Sequence, residues 1–244
     1  LIGPGADLTG ADLTGMDLTN ANLTDVKSGG IIYAGTPPSL PADWQLINGY
    51  LMGPGADLTN ANLDGVNLTN VNLTGAILDG VSSGGITGTP SHLPTNWSLI
   101  SGYLIGPGAD LTGADLTGMD LTNAKLEFAD LTNVFLNDAN LTGANLDSVS
   151  SGGITGTPSH LPTNWSLISG YLIGPGADLT GADLTGMDLT NAKLEFADLT
   201  NTNLTNAMLG DANLLGVTGA AKYNSLTILP ASFDPVAAGW TLVS

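Results

Sequence analysis

The chain repeats a unit of five residues. Where the unit runs cleanly, a small apolar residue is followed by Asp or Asn, then Leu, then Thr, then Gly, Asn or Asp: Ala6-Asp7-Leu8-Thr9-Gly10, Ala11-Asp12-Leu13-Thr14-Gly15, Met16-Asp17-Leu18-Thr19-Asn20 and Ala21-Asn22-Leu23-Thr24-Asp25. In an extended backbone the small residue and the Leu, two apart, point to one face, and the Asp or Asn between them points to the other. A plain strand would continue that alternation. Here it resets after every fifth residue, and the reset falls on the residue types that most readily accept φ > 0. Each unit is therefore predicted to be a short extended piece ending in a corner. Corners that always turn the apolar face inward wind the chain into a coil whose turns stack by backbone hydrogen bonding about 4.8 Å apart.

The runs from Ala56 to Gly80, Ala109 to Asn145 and Ala177 to Gly216 resemble the pentapeptide-repeat proteins, whose motif is a small residue, Asp or Asn, Leu or Phe, and two polar residues. The resemblance implies an all-β fold, a right-handed quadrilateral β-helix with four units per turn and with the Leu and the small residue inside. The period alone leaves the number of faces and the hand open.

A longer repeat overlies the short one. Val81 to Asn133 recurs unchanged from Val149 to Asn201, a shift of 68 positions, and the opening Leu1-Ile2-Gly3-Pro4-Gly5-Ala6 recurs at Leu104 and Leu172. The single solenoid domain, 1–244, divides into modules at about 1–25, 26–80, 81–148 and 149–216, followed by a non-periodic segment, 217–244. Each of the middle modules joins pentads to an irregular stretch such as Ser82 to Trp97, whose prolines and glycines read as a loop. Trp97-Ser98-Leu99-Ile100 and Tyr103-Leu104-Ile105 then alternate like strands, so the chain is expected to leave the coil at a corner and rejoin it before Gly106-Pro107-Gly108. Trp44, Trp97, Trp165 and Trp240 recur at the loop exits and are expected to anchor the loops to the coil. About nine turns at the sheet spacing predict a rod of roughly 40 Å.

Composition narrows the function. Four Lys and no Arg stand against 22 Asp and Glu, a formal charge of −18, so binding of phosphates along a basic groove, and with it direct nucleic-acid binding, is excluded. No apolar stretch approaches the length of a membrane span, and the first residues lack a signal-peptide pattern. With 5% aromatic residues and no Cys, the chain suits a thin core of Ala and Leu. Absent Cys, few Lys and abundant Thr, Asn and Gly point to an extracellular or cell-surface bacterial protein.

No catalytic constellation emerges, and no enzyme activity or cofactor is expected. His92 and His160 are copies of one loop position without an acidic, Cys or Ser partner at catalytic spacing. With four units per turn, Asp110 and Asp130, or Asp178 and Asp198, would stack, and such carboxylates could attract Ca²⁺. A solvated face is the favoured reading of these outward positions. Thr in nearly every unit, around the whole perimeter, reads as a motif requirement and not as an ice-binding face. The clearest departure from the motif is Ala124-Lys125-Leu126-Glu127-Phe128, repeated at Ala192-Lys193-Leu194-Glu195-Phe196. Lys125, Glu127, Phe128, Lys193, Glu195 and Phe196, with the outward Phe135, form the predicted interaction patch, against the alternative that each Phe packs on a neighbouring segment.

Leu1-Ile2 and Trp240-Thr241-Leu242-Val243 read as the two halves of one broken module, which suggests an excerpt of a longer repeat protein or self-association by head-to-tail stacking. The expected function is that of a non-enzymatic acidic rod: a surface or extracellular fibre, stalk or scaffold that meets an unidentified protein partner. The family resemblance supplies an alternative, a DNA-mimicking protein acting on a type II topoisomerase, and the stacked carboxylates a second, a Ca²⁺-binding module.

Overall fold

In the computed structural model, which describes residues 2–244, the pentads turn as the period requires. Leu1, first residue of the recurring opening, lies outside the described residues. The amide of each small residue donates to the carbonyl of the Leu three positions earlier, as in Ala11 to Leu8 at 3.0 Å and Ala61 to Leu58 at 2.9 Å. The residue before that amide adopts the left-handed conformation: φ is +69° at Gly10 and +59° at Asn60. A four-residue turn with positive φ at its third position has the signature of type II, which explains the fifth-place Gly and Asn.

Outward residues pair in parallel at a spacing of twenty, for example Asp7 with Lys27, Asp57 with Ile77 and Asp183 with Asn203. Twenty residues are four pentads, so each coil has four sides. The chain forms two compact units, residues 1–110 and 111–244. In the first, Leu58, Leu63, Leu68, Leu73 and Leu78 are buried to within 1%; in the second, Leu194, Leu199, Leu204 and Leu209 are fully buried. Thr202 takes the place of a small apolar residue in that second core and is fully buried. Its hydroxyl donates to the Leu179 carbonyl at 2.7 Å, so the buried polar group is satisfied. Residues 217–244 lack the period yet keep the register, with Thr218, Lys222 and Ile228 pairing to Asp198, Asn203 and Met208.

The excursions end in hairpins. Strands β1 (Gln45–Ile47) and β2 (Tyr50–Met52), β3 (Ser98–Ile100) and β4 (Tyr103–Ile105), and β5 (Ser166–Ile168) and β6 (Tyr171–Ile173) pair antiparallel. The two-residue connections Asn48-Gly49, Ser101-Gly102 and Ser169-Gly170 have positive φ at both positions, the mirror-image turn that fits the strand twist. Two devices hold each hairpin to its coil. A serine hydroxyl accepts from the second strand: Leu51 to Ser28 and Leu104 to Ser83 at 2.9 Å, Leu172 to Ser151 at 3.0 Å. A tryptophan ring lies flat on a glycine, so that a Cβ on Gly53, Gly106 or Gly174 would sit 2.1–2.3 Å from Trp44, Trp97 or Trp165. Trp240 differs, packing with Phe233 at a centroid distance of 4.7 Å and Tyr223 at 6.4 Å, beside the parallel pair β7 (Lys222–Tyr223) and β8 (Thr241–Leu242).

These contacts set a measurable expectation. Gly106→Ala and Gly174→Ala, which drive a methyl into the indole, are each expected to destabilise the protein by about 1–3 kcal/mol. Gly210→Ala, where nothing lies within 4 Å of the new methyl, should stay within roughly 0.5 kcal/mol of the parent in the same urea titration.

Candidate functional site

The outward Asp and Asn side chains have a local task. Each folds back onto the backbone two residues on: the Thr19 amide donates to Asp17 at 3.0 Å and the Thr69 amide to Asn67 at 2.9 Å, and the Thr hydroxyls add bonds of 2.7 and 2.6 Å. Second-place Asp or Asn and fourth-place Thr thus lock the corner as a pair. The Thr hydroxyl first, and its amide second, hold the carboxyls of Asp12, Asp17, Asp115, Asp120, Asp183 and Asp188 below the ordinary aspartate range. Asp178 and Asp198 are stacked partners, yet each accepts from its own Thr amide, at 3.0 and 2.9 Å. Among the described residues no three His, Asp or Glu side chains converge as a metal site.

The repeated departure from the motif builds a single edge of the second unit. The Phe128 amide donates to the Asp147 carbonyl, Ser148 to Gly176, Gly176 to Glu195 and Phe196 to Leu215, at 2.7–3.0 Å. One corner therefore carries, coil by coil, Phe128, Ser148, Gly176, Phe196 and Gly216. Phe128 is 71% exposed and Phe196 66%, and both adopt the left-handed conformation, at φ +63° and +64°. That conformation costs a residue with a Cβ roughly 1–2 kcal/mol. Gly, Asn and Asp fill most such corners at less cost, so the aromatic is present in spite of the backbone preference.

The two sides of this corner differ in charge. Lys125 and Lys193 point outward just before it, pairing with Asn145 and Asn213; Asp130, Ser150, Asp178 and Asp198 form a ladder just after it. Glu127 and Glu195 sit at the corner itself. One carboxylate oxygen of Glu127 accepts from the Asn145 side chain at 2.6 Å, and Glu195 accepts likewise from Asn213. The second oxygen of each is buried without a hydrogen-bond partner. The Phe196 ring lies along the edge, over Gly216.

Six of the seven predicted patch residues thus share one corner and its flank. Phe135 does not, because it belongs to another face, between Asp115 and Thr155. His92 and His160 are exposed and pair outward with Asn72 and Asn140. The sequence reading missed the Asp–Thr pairing as the reason for the motif. It also missed that Phe128 and Phe196 are collinear, although the twenty-residue register and the eight extra residues between Ser148 and Gly176 could have given it.

The sequence profile of the family described as "Pentapeptide repeats" matches in eight copies, over residues 5–27, 55–82, 109–147 and 176–217, more than half of the chain. Similar solved structures include HetL, a pentapeptide repeat protein involved in heterocyst differentiation regulation in the cyanobacterium Nostoc sp. strain PCC 7120. It is 24% identical over 88% of this chain and 85% of that one, with a TM-score of 0.21. A second pentapeptide repeat protein from Nostoc is also 24% identical, over 55% of this chain and 76% of that one, with a TM-score of 0.19. QnrB1, a plasmid-mediated fluoroquinolone resistance protein, is 13% identical over 75% of this chain and 92% of that one, with a TM-score of 0.24. No curated protein matches significantly.

Two outcomes follow from the geometry. A carboxyl held low in the folded state stabilises fully above its ordinary value near 3.9, and that contribution is lost as pH falls through the folded value. Thermal stability should therefore decline below about pH 4. Replacing Asp12, Asp17, Asp115, Asp120, Asp183 and Asp188 together by Asn, which keeps the turn as Asn67 does, should flatten that decline in scanning calorimetry. Separately, Phe128→Asn should leave the melting temperature unchanged or raise it by up to roughly 4 °C, the equivalent of about 1 kcal/mol of relieved strain; a clear fall would assign the ring to packing.

Proposed function

We propose that this chain, which belongs to the pentapeptide-repeat family, is a structural and interaction protein and not an enzyme: an acidic, stiff surface or extracellular fibre, stalk or scaffold. The observation that carries the reading is where the polar groups go. The outward carboxylates and amides that would serve chemistry are committed to the corners of the coil, as Asp17 is to Thr19 and Asn67 to Thr69. The feature left over is an exposed aromatic edge with a cationic and an anionic flank. Regular main-chain ladders resist bending, and a side chain held against its own backbone preference is a device for contact.

A formal charge of −18 on stacked coils also supports the second reading, interference with a type II topoisomerase by imitation of DNA charge. The two readings part in experiment. The fibre or stalk reading expects surface labelling of intact producing cells by a specific antibody, elongated particles in negative stain, and unaltered supercoiling by purified gyrase. Cytoplasmic localisation with potent gyrase inhibition or protection would overturn it and establish the alternative. A melting temperature raised by Ca²⁺ and lowered by chelator would instead mark a Ca²⁺-binding module.

A further inference from the structure

We propose that the corner edge Phe128–Ser148–Gly176–Phe196 pairs with the same edge of a second copy of this chain, side by side and parallel, with Lys125 and Lys193 of each copy facing Asp130 and Asp198 of the other. The inference rests on the interaction-protein reading above and names the partner of that surface.

The edge has the right pattern of charge to recognise itself. On one coil Lys125 lies before the corner and Asp130 after it. Three coils on, Lys193 lies before the same corner and Asp198 after it. The backbone bonds that run unbroken along this corner keep the coils at sheet spacing, so the two levels stand about 14 Å apart. Away from the corner itself the β5–β6 hairpin comes between coils: on the Lys-bearing flank Trp165 and Ile173 lie beside Lys193, and Tyr171 lies against Gly152 with its hydroxyl accepting from the Asp183 amide at 3.3 Å. The ladder from Asp130 through Ser150 and Asp178 to Asp198 is nevertheless continuous, so the spacing of the two levels is set by the shared corner.

Symmetry then selects the arrangement. A two-fold axis parallel to the edge preserves height and exchanges the flanks, so each Lys meets a carboxylate at its own level, and Phe128 meets Phe128 and Phe196 meets Phe196 of the other copy. An axis across the edge would instead set the Lys-bearing flank against itself and the Asp-bearing flank against itself. Such a contact is closed and stops at two copies. Four aromatic rings, at roughly 150–250 Å² each, place it at the small end of specific interfaces. It must also overcome the repulsion of two strongly acidic chains, which salt at about 0.15 M screens beyond roughly 8 Å. The pairing is therefore reversible and shows at high protein concentration.

Sedimentation equilibrium of the full chain at that ionic strength is the test. The expected result is a monomer–dimer equilibrium that Phe128→Asn with Phe196→Asn weakens at least tenfold while circular dichroism stays unchanged. Lys125→Asp with Lys193→Asp makes both flanks acidic, and Asp130→Lys with Asp198→Lys makes both basic. Each double variant alone should lose the dimer, and a one-to-one mixture of the two should restore it. A parent chain that stays monomeric, a dimer that the Phe variants leave intact, or a mixture no more associated than its components would overturn the pairing. So would growth beyond two copies that the Phe variants leave unaffected, since that would be end-to-end stacking. None of these results bears on the surface location or gyrase insensitivity by which the fibre or stalk reading stands or falls.

Discussion

The backbone ladder between coils is the interaction on which everything else depends. A coil of four short sides has no helix and no long strand to satisfy its peptide groups, so each amide must find an acceptor across a corner, on a neighbouring coil or in an outward side chain. All three are used: the small residue's amide closes the turn, as Ala61 does to Leu58, the Leu amide reaches the next coil, as Leu58 does to Ile77 at 2.9 Å, and the Thr amide takes the outward carboxylate, as Thr59 does Asp57 at 3.0 Å. With these groups paired, the interior needs nothing but close-packed Ala, Val and Leu. The outward Asp or Asn and the Thr then act on the one weak point, the corner, where the chain must reverse at a left-handed residue.

That division of labour explains how a chain with a formal charge of −18 holds its carboxylates in stacked rows. Asp178 lies next to Asp198 on adjacent coils, which like-charge repulsion disfavours. Each carboxylate is turned along its own strand toward a Thr amide and not across to its neighbour. The local hydrogen bonds fix where each carboxylate points, and water screens the repulsion between neighbours.

The pentad made the coil, its inward residues and its corners legible, because one side-chain pattern repeated many times permits one backbone solution. The four-fold count came from the family resemblance and is carried in the structure by the spacing of twenty between paired residues. The irregular stretches were legible only as loops and strands. That they end in hairpins docked by Ser28, Ser83 and Ser151 depends on contacts between residues more than twenty positions apart, which no local pattern encodes. The candidate patch was legible as an oddity of composition, but the separation of Phe135 from Phe128 and Phe196 was not, because exposure was read without the register that assigns each position to a face.

The collinearity of Phe128 and Phe196 is itself a consequence of the fold. A duplicated segment keeps its Leu inward if it preserves the five-residue phase, and it stacks its copies on one corner only if it spans whole coils. The shift of 68 positions meets this condition as three coils plus the eight residues absorbed by the hairpin-bearing coil between Ser148 and Gly176, and every surface feature copied with it is stacked above its original. Alignment therefore required no selection beyond a copied segment of whole coils. The choice of residue did: a left-handed corner welcomes Gly or Asn, as at Gly118 and Asn123, and both copies instead carry an exposed phenylalanine beside a glutamate with one buried, unpaired oxygen. The duplication sets the spacing of the two aromatics, and the strained corners beneath them argue that what is spaced is a contact.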